Sequence, residues 1–457
     1  MSVGKGRLAG HRFARIAALG ILPALVLAAC ERDTVLPGER FGTRTALEAT
    51  LPGEDGRAAA SSLVSTDAAR AINLPSPTRL ADWPSRGYSV TNRLPHGTLS
   101  ANPVEVWAAP IGTGNSRRNR IAADPVAGGG LVYTIDAGSQ LQATSLSGGA
   151  PAWITSLVPD FDRGANASGG GLALSGNRLY ATTPFGEVVA LDAASGAVIW
   201  RQRLGTVLGA PTVSGGLVYV VGRNSEAWAL EADDGRQRWR IPSSDVPSVL
   251  VGGSAPAVAD GRAIFPFPSG ELVAAMPNTG ITLWHSFVAG GRLGTAYAGI
   301  NDITSDPVIV GGTIYAGNQS GRVVSMNART GTRNWTATEG AYSPVVVAGD
   351  AIFFVSDRNE LIRLDASDGS RVWGTELPLY QRDRPRRREA VFTHYGPVLA
   401  GGRLVVASGD GLIRLFSPES GDLIGTLELR GGAASHPILV EDTLLVVSQD
   451  GRLHAYR

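Results

Sequence analysis

The side chains that most often carry catalysis are scarce and widely spaced in this chain of 457 residues. Cys30 is the only cysteine, which excludes a disulfide within the chain and a cysteine-based metal site. Lys5 is the only lysine, so the chain beyond it has no lysine for a phosphate-binding loop or a Schiff base. The histidines beyond residue 30 lack the paired spacing of a zinc-binding helix, although their separation does not forbid a cluster in space. They are His96, His285, His394, His436 and His454. We therefore predict no catalytic residue, no metal site and no cofactor.

The first 29 residues have the parts of a secretory signal, with a basic start and an apolar run at residues 16–27 that is too short for a stable membrane span. The end of this segment resembles the lipobox of bacterial lipoproteins, in the order Leu27, Ala28, Ala29 and Cys30. The resemblance implies that Cys30 is lipidated and becomes the new N-terminus; the alternative is an ordinary cleaved signal with an incidental cysteine. Glu31 stands where an aspartate commonly retains lipoproteins in the inner membrane, so we expect an outer-membrane anchor on the periplasmic face.

Residues 30–103 are rich in proline, alanine, serine, threonine and arginine and show no sustained periodicity. We predict a lipidated N-terminus followed by a flexible tether, on which Trp83 and Tyr88 dock locally against the next domain.

A module of strand, turn glycine and tryptophan recurs along residues 104–457. In one copy, a strand begins near residue 186, Gly196 marks the turn, and Trp200 follows four residues later. Short alternating runs rich in valine, isoleucine and tyrosine precede the copies and indicate strands rather than helices. A repeat of roughly 40 to 50 residues is typical of a four-stranded propeller blade.

Eight copies predict an all-β fold, an eight-bladed β-propeller of four-stranded antiparallel blades. The eighth copy ends at Arg457 before its turn, so we predict that the segment around Trp107 pairs with the C-terminal segment and closes the ring. We predict that the tryptophans fill the contacts between blades and do not stack on a ligand. These residues are Trp107, Trp153, Trp200, Trp239, Trp284, Trp335 and Trp373, whereas the seventh copy has Gly425 instead.

Two features stand outside the repeat. The connections at residues 243–256 and 290–307 are long, and their apolar residues are costly to expose without a partner, so they form either a binding surface or a cover over the central channel. The loop from Arg382 to Arg388 either meets an anionic lipid or an acidic protein surface, or is a solvated connection whose own acids blunt its charge.

The lipobox, the tether and the eight modules together resemble the BamB family, propeller lipoproteins of the bacterial β-barrel assembly machinery. Ser254, Ala255 and Pro256, and Asp306 with Pro307, resemble the central blades of that family. The resemblance implies a non-catalytic subunit of the BAM complex that binds the periplasmic POTRA domains of the barrel-inserting protein BamA. It also implies assistance to unfolded outer-membrane proteins during folding and insertion, and a monomer apart from the complex.

The resemblance places the contact surface on the two long connections. Leu250 is the residue retained from a Leu-x-Leu-Arg pattern, and Asp302 is the residue retained from an Asp-x-Asp pattern. We expect Leu250, with Val249, Val251 and Ile300, to form an apolar anchor, and Asp302 to add a polar contact that fixes orientation.

Two other functions use the same repeat. A quinone-dependent dehydrogenase is one, but such enzymes typically have an adjacent cysteine pair, which this chain lacks. A periplasmic binding or sensor lipoprotein unrelated to barrel assembly is the other. With a formal net charge of +1 and a lipid anchor, we expect no nucleic-acid partner.

Overall fold

Short strands make up nearly all the regular structure of the computed structural model, which describes residues 68–162, 168–250, 252–288, 290–292, 299–382 and 384–457. The predicted signal, Cys30, Glu31 and the first part of the predicted tether lie outside the described residues. One helix lies wholly within the described ranges, a 3-10 turn at Pro385–Arg387, and no described helix has the length and apolar character to cross a membrane.

The strands assemble into eight sheets, which confirms the predicted eight-bladed propeller. Two strands precede the first blade, β1 (His96–Gly97) and β2 (Glu105–Pro110). Blade 1 consists of β3 (Val126–Gly128), β4 (Leu131–Ile135), β5 (Gln140–Ser145) and β6 (Pro151–Ser156), and blade 2 of β7 (Gly171–Ser175), β8 (Arg178–Thr182), β9 (Glu187–Asp192) and β10 (Val198–Arg203). Blade 3 consists of β11 (Thr212–Ser214), β12 (Leu217–Val221), β13 (Glu226–Glu231) and β14 (Gln237–Pro242), and blade 4 of β15 (Ala257–Ala259), β16 (Arg262–Pro266), β17 (Glu271–Ala275) and β18 (Thr282–Phe287).

Blades 5 to 7 follow in the same way. They consist of β19 (Val308–Val310), β20 (Thr313–Asn318), β21 (Arg322–Asn327) and β22 (Arg333–Ala337); β23 (Val346–Ala348), β24 (Ala351–Val355), β25 (Glu360–Asp365) and β26 (Arg371–Glu376); and β27 (His394–Ala400), β28 (Arg403–Ser408), β29 (Leu412–Phe416) and β30 (Leu423–Glu428). Blade 8 joins β31 (Ile438–Val440), β32 (Thr443–Ser448) and β33 (Arg452–Tyr456) to β2.

The order of strands within each blade fixes the layout of the ring. First strands of neighbouring blades contact one another, as β3 does β7 and β15 does β19, so the first strands line the central channel. Turns between first and second strands and between third and fourth strands lie at one end, which we call the turn face. The described parts of all other connections, including those of residues 243–256 and 290–307, lie at the opposite end, which we call the loop face.

The ring closes as predicted, because β2 pairs antiparallel with β33 and places Trp107 opposite Ala455. This pairing covers the edge of the C-terminal strand, which would otherwise present unpaired backbone groups to other chains.

Each inter-blade tryptophan lies against the turn glycine of the next blade. A Cβ added to Gly196 would fall 2.4 Å from the Trp153 ring, and one added to Gly369 would fall 2.5 Å from the Trp335 ring. The indole Nε1 also donates to the carbonyl three residues before that glycine, as from Trp153 to Ala193 at 3.0 Å. The same donation is made by Trp200, Trp239, Trp284, Trp335 and Trp373. Ring packing and a satisfied indole donor therefore fix the angle between blades.

The seam departs from this rule on both sides. The Trp107 ring lies against Gly149, but its Nε1 has no protein acceptor among the described residues, and the equivalent carbonyl, that of Leu146, accepts from Arg457 at 3.4 Å. On the other side, Tyr456 of blade 8 donates its hydroxyl to the carbonyl of Glu428 in blade 7 at 2.6 Å.

Residues 78–97 run through the central channel and so are not part of a flexible tether, which the composition predicted as far as residue 103. Their backbone pairs with the innermost strands of several blades in turn. These contacts are Trp83 with Ala127, Ser85 with Ala173, Val90 with Val258, Thr91 with Ile309, and β1 in parallel with β27, which makes blade 7 five-stranded. The segment starts and ends at the turn face, where Leu80 accepts from Glu441 and His96 accepts from Gly402.

Asn92 anchors the deepest part of this channel segment. It is 1% exposed, and its Nδ2 lies 3.1 to 3.3 Å from the carbonyl oxygens of Ala255, Pro256 and Pro307. One amide group thus ties the channel segment to the start of blades 4 and 5.

The indole–glycine contact predicts a large effect of Gly369→Ala. The residue has a φ of 75°, and its new Cβ would also overlap the Trp335 ring. Gly312→Ala is the matched control, because Gly312 has a φ of 78° but nothing within 4 Å of the added Cβ. Urea unfolding should show a loss of about 1–2 kcal/mol for the control and of about 3 kcal/mol or more for Gly369→Ala. Equal losses would contradict the packing role of the glycine.

The channel segment predicts a local effect of Asn92→Asp. The substitution removes the amide donor and places a carboxylate among carbonyl oxygens, a cost of several kcal/mol that releases the segment before the ring unfolds. Trypsin should then cleave after Arg86, whose side chain is only 18% exposed in the native channel and pairs with Asp124. Asn177→Asp, at an exposed turn, is the control and should leave Arg86 protected. Protection of Arg86 in both variants would show that Asn92 does not hold the segment.

Candidate functional site

The two long connections of the loop face meet at the mouth of the central channel. Ser254 Oγ donates to the carbonyl of Ile303 at 2.7 Å, and the backbone N–H of Ala255 donates to Asp306 Oδ1 at 2.8 Å. They border a cavity of about 300 Å³, which is also lined by Arg86, Tyr342, Tyr395 and His436. We call this region the channel-mouth site. The described parts of both connections therefore meet in one surface.

Asp302 holds the two connections together from the inside. Its side chain is 4% exposed and pairs with Arg223, and its Oδ2 accepts the backbone N–H of Leu250 at 3.0 Å. The carboxylate is thus used within the protein, whereas we predicted a polar contact with a partner. The arginine of the Leu-x-Leu-Arg pattern would fall at position 251, where this chain has valine. The arginine that pairs with Asp302 is instead Arg223, from the turn after β12.

The apolar residues of the first connection differ in exposure. Val249 is 36% exposed, whereas Leu250 is half-buried and lines the cavity. Val251 lies outside the described residues. Ile300, in the second connection, is half-buried, and its carbonyl accepts from Ser320 Oγ at 2.6 Å. Phe287, at the loop-face end of β18, is 49% exposed and was missed in the sequence, because it continues the exposed alternation of an outer strand.

The second connection is also anchored where it begins. Arg292 is buried and pairs with Asp357 at 2.8 Å and with Glu339 at 2.9 Å, which lie beyond blade 5. Hydrogen bonds and attraction to these two carboxylates outweigh burial and raise the pKa of Arg292. The connection is therefore fixed at Arg292 and again at Asp302 and Asp306.

An ion cluster forms the opposite wall of the cavity. Arg86 of the channel segment lies 3.0 Å from Asp124 and 3.4 Å from Asp306, and His436 Nδ1 lies 3.1 Å from Asp124. Burial acts to raise the pKa of Asp124, but attraction to His436 and Arg86 and hydrogen bonds from His436 outweigh it and bring that pKa to about 2. At Asp306 burial prevails and raises the pKa. The cluster was not predicted, because its members lie in four separate parts of the sequence.

The remaining histidines lie apart. His96 and His394 bond backbone carbonyls of Pro75 and Pro378, His454 is buried at the seam near Glu105, and His285 lies on the outer strand β18. Among the described residues, no group of three or more histidine, cysteine or acidic side chains has the arrangement of a metal site.

Comparison with known proteins finds a family model that matches two long stretches of the chain. The family model described as outer membrane protein assembly factor BamB matches residues 137–375 and 384–457. The chain is 28% identical over 370 residues to the outer membrane protein assembly factor BamB of Yersinia pestis, covering 79% of this chain and 91% of that protein. The crystal structure of BamB from Moraxella catarrhalis superposes with a TM-score of 0.65 at 18% identity, covering 78% of this chain and all of that one. The quinohemoprotein alcohol dehydrogenase of Comamonas testosteroni superposes at 0.59 with 16% identity, covering 83% of this chain and 81% of that one, a likeness of fold alone.

The internal role of Asp302 predicts a stability effect. Asp302→Ala leaves Arg223 buried without its partner, at a cost of about 3–5 kcal/mol in urea unfolding. Replacing both residues by apolar ones, Arg223→Met with Asp302→Leu, should cost clearly less, because no unpaired charge remains. A loss below about 1 kcal/mol for Asp302→Ala would show that the carboxylate is not needed inside the protein.

Proposed function

Because this chain belongs to the family of the outer membrane protein assembly factor BamB, we propose that it is a non-catalytic lipoprotein of the BAM complex. It binds the POTRA domains of BamA through the channel-mouth site and assists the folding and insertion of outer-membrane proteins. The observation that carries the proposal is the locking of both long connections into one surface, with Leu250 held by Asp302 and Val249 exposed beside it.

The locked surface suits a protein partner. The bond from its backbone N–H to the Asp302 carboxylate holds Leu250 in place, so a partner that packs on it orders few additional groups on binding. Val249 and Phe287 add exposed apolar area on the same face. In this proposal Asp302 acts as a positioning residue for Leu250 and does not touch the partner.

The channel interior supports a binding role over a redox one. Residues 80–93 fill the part of the channel next to the innermost strands, with Trp83 fully buried and Arg86 paired to Asp124. The sequence also has no adjacent cysteine pair. The resemblance to quinone-dependent enzymes is thus one of blade architecture, and we assign the chain no cofactor.

We place the protein on the periplasmic face of the outer membrane, anchored through a lipid on Cys30. The described chain begins near the turn face, where the backbone of Arg70 donates to Glu419. The loop face, with the channel-mouth site, lies at the other end of the ring. The described chain therefore enters the ring at the end away from the channel-mouth site.

Leu250→Glu tests the interface. A buried carboxylate at an apolar contact should weaken co-purification with BamA at least about thirtyfold, the equivalent of roughly 2 kcal/mol. Leu423→Glu is the matched control, because Leu423 is 52% exposed and lies at the turn-face end of β30. Full recovery of BamA with Leu250→Glu would refute the interface. Recovery of other periplasmic proteins without BamA from the wild-type chain would instead favour a sensor lipoprotein.

A further inference from the structure

Three neighbouring connections of the loop face carry exposed arginines. The first comprises residues 377–393. Its two arms lie side by side, since Tyr380 pairs antiparallel with Val391 and the N–H of Gln381 donates to the carbonyl of Ala390 at 3.0 Å. Its tip contains the 3-10 turn Pro385–Arg387. The exposed arginines of the tip are Arg382, Arg384, Arg386, Arg387 and Arg388. The described residues of the tip therefore project from the connection between blades 6 and 7, which is held by backbone hydrogen bonds.

The second arginine group lies between blades 8 and 1. Residues 116–119 form a turn in which the N–H of Ser116 donates to the Asn119 carbonyl at 2.8 Å, and the N–H of Arg120 donates to Ser168 Oγ at 2.8 Å. Its exposed arginines are Arg117, Arg118 and Arg120, and Arg430 is exposed on the connection that lies between the two groups.

The charge of this surface contrasts with that of the rest of the chain. The sequence has 41 lysine and arginine residues and 40 acidic ones, and four of the cations but no acid precede Cys30. Residues 30–457 therefore carry a formal charge of −3, whereas residues 116–120 and 382–389 carry +3 each. Positive charge is thus concentrated on one half of the loop face, opposite the apolar half that contains Leu250.

A cavity of about 370 Å³ separates the two arginine groups. Arg120 and Asn115 line one side, Gln381 and Phe392 the other, and Gln449 and Tyr395 the remainder. One atom of each amide is used within the protein, as Asn115 Oδ1 accepts from Ile121, and Gln381 Nε2 and Gln449 Nε2 donate to backbone carbonyls, so the other amide atom is the one that pairs with a peptide backbone. Half-buried aromatic rings accept apolar side chains. We call this cavity the notch. A flat lipid surface touches its rim but does not enter it.

We infer that this notch binds an extended acidic segment of a partner polypeptide, with its carboxylates held by the arginines on both rims. Guanidinium groups pair with carboxylates through two parallel hydrogen bonds, and the absence of lysine from residues 30–457 makes every cation on this surface of that kind. The notch adjoins the channel-mouth site, since Tyr395 lines both cavities, but the arginines of its two groups lie outside that site, and the inference does not depend on the function proposed there.

The test uses the full-length lipoprotein in vesicles of neutral phosphatidylcholine. The probe is a short fluorescent peptide of alternating glutamate and alanine, and the readout is its co-sedimentation with the vesicles. We expect binding that weakens at high salt and falls roughly tenfold when Arg117, Arg118 and Arg120, or Arg384, Arg386 and Arg387, are replaced by glutamine. Replacing the same residues by lysine should restore only part of the binding, because the charge remains but the paired hydrogen bonds of the guanidinium groups are lost.

The control removes the same number of charges elsewhere. Arg236, Arg238 and Arg329 are exposed toward the turn face, and their replacement by glutamine should leave binding unchanged. Leu250→Glu should also leave it unchanged, which separates this proposal from the BamA interface. Near-ultraviolet circular dichroism of the tryptophans verifies the fold of each variant.

Three results would overturn the inference. They are no binding of the peptide, an equal loss in the control variant, and arginine-dependent docking of separate vesicles containing phosphatidylglycerol without peptide binding. The last result would assign the arginines to anionic lipid.

Discussion

The ring depends on one repeated contact, an indole packed against the α-carbon of a turn glycine in the next blade. The contact joins residues whose separation varies from 34 positions, between Trp335 and Gly369, to 48 positions, between Trp373 and Gly421. The indole–glycine contact has the same geometry in each pair although the number of residues between its partners varies. The additional residues must therefore lie in connections that do not take part in the contact. They do so on the loop face, in connections such as residues 377–393, since the turn-face hairpins are held to fixed lengths. The constraint between blades thus decides which face is free to acquire binding surfaces.

The exception in the repeat follows from the same contact. Blade 8 ends at Arg457 and has no turn between its third and fourth strands, because β2 reaches it from the other end of the described ring. A tryptophan at position 425 would have no glycine to pack on, and Gly425 stands there instead. The bond from Tyr456 to Glu428 joins blades 7 and 8 where the indole contact is missing. The missing tryptophan is therefore a consequence of the closure, in which β2 supplies the fourth strand of blade 8.

The same reasoning separates what the sequence predicts from what it does not. Blades, closure and the positions of the tryptophans follow from side-chain periodicity and fixed offsets, which are local in sequence. The channel segment has no such pattern, because backbone groups such as those of Trp83 and Val90 make its contacts with the inner strands. The pairing of Asp302 with Arg223 is also invisible in the sequence, since the two residues lie 79 positions apart and belong to different connections. The long connections themselves were recognisable from their length and apolar residues.

The channel segment gives the loop face a rigidity that its long connections would not have alone. Asn92 binds the ends of both connections, Arg86 reaches Asp306, and Asp306 in turn accepts from Ala255. A surface held in this way by buried polar groups loses little conformational entropy when a partner binds, so more of its contact energy is available for affinity. The polar contacts must also be made together, because leaving one buried charge unpaired costs more than the pair contributes. The channel segment enters the ring at the turn face. Its residues Arg86 and Asn92 nevertheless fix the shape of the loop face at the opposite end.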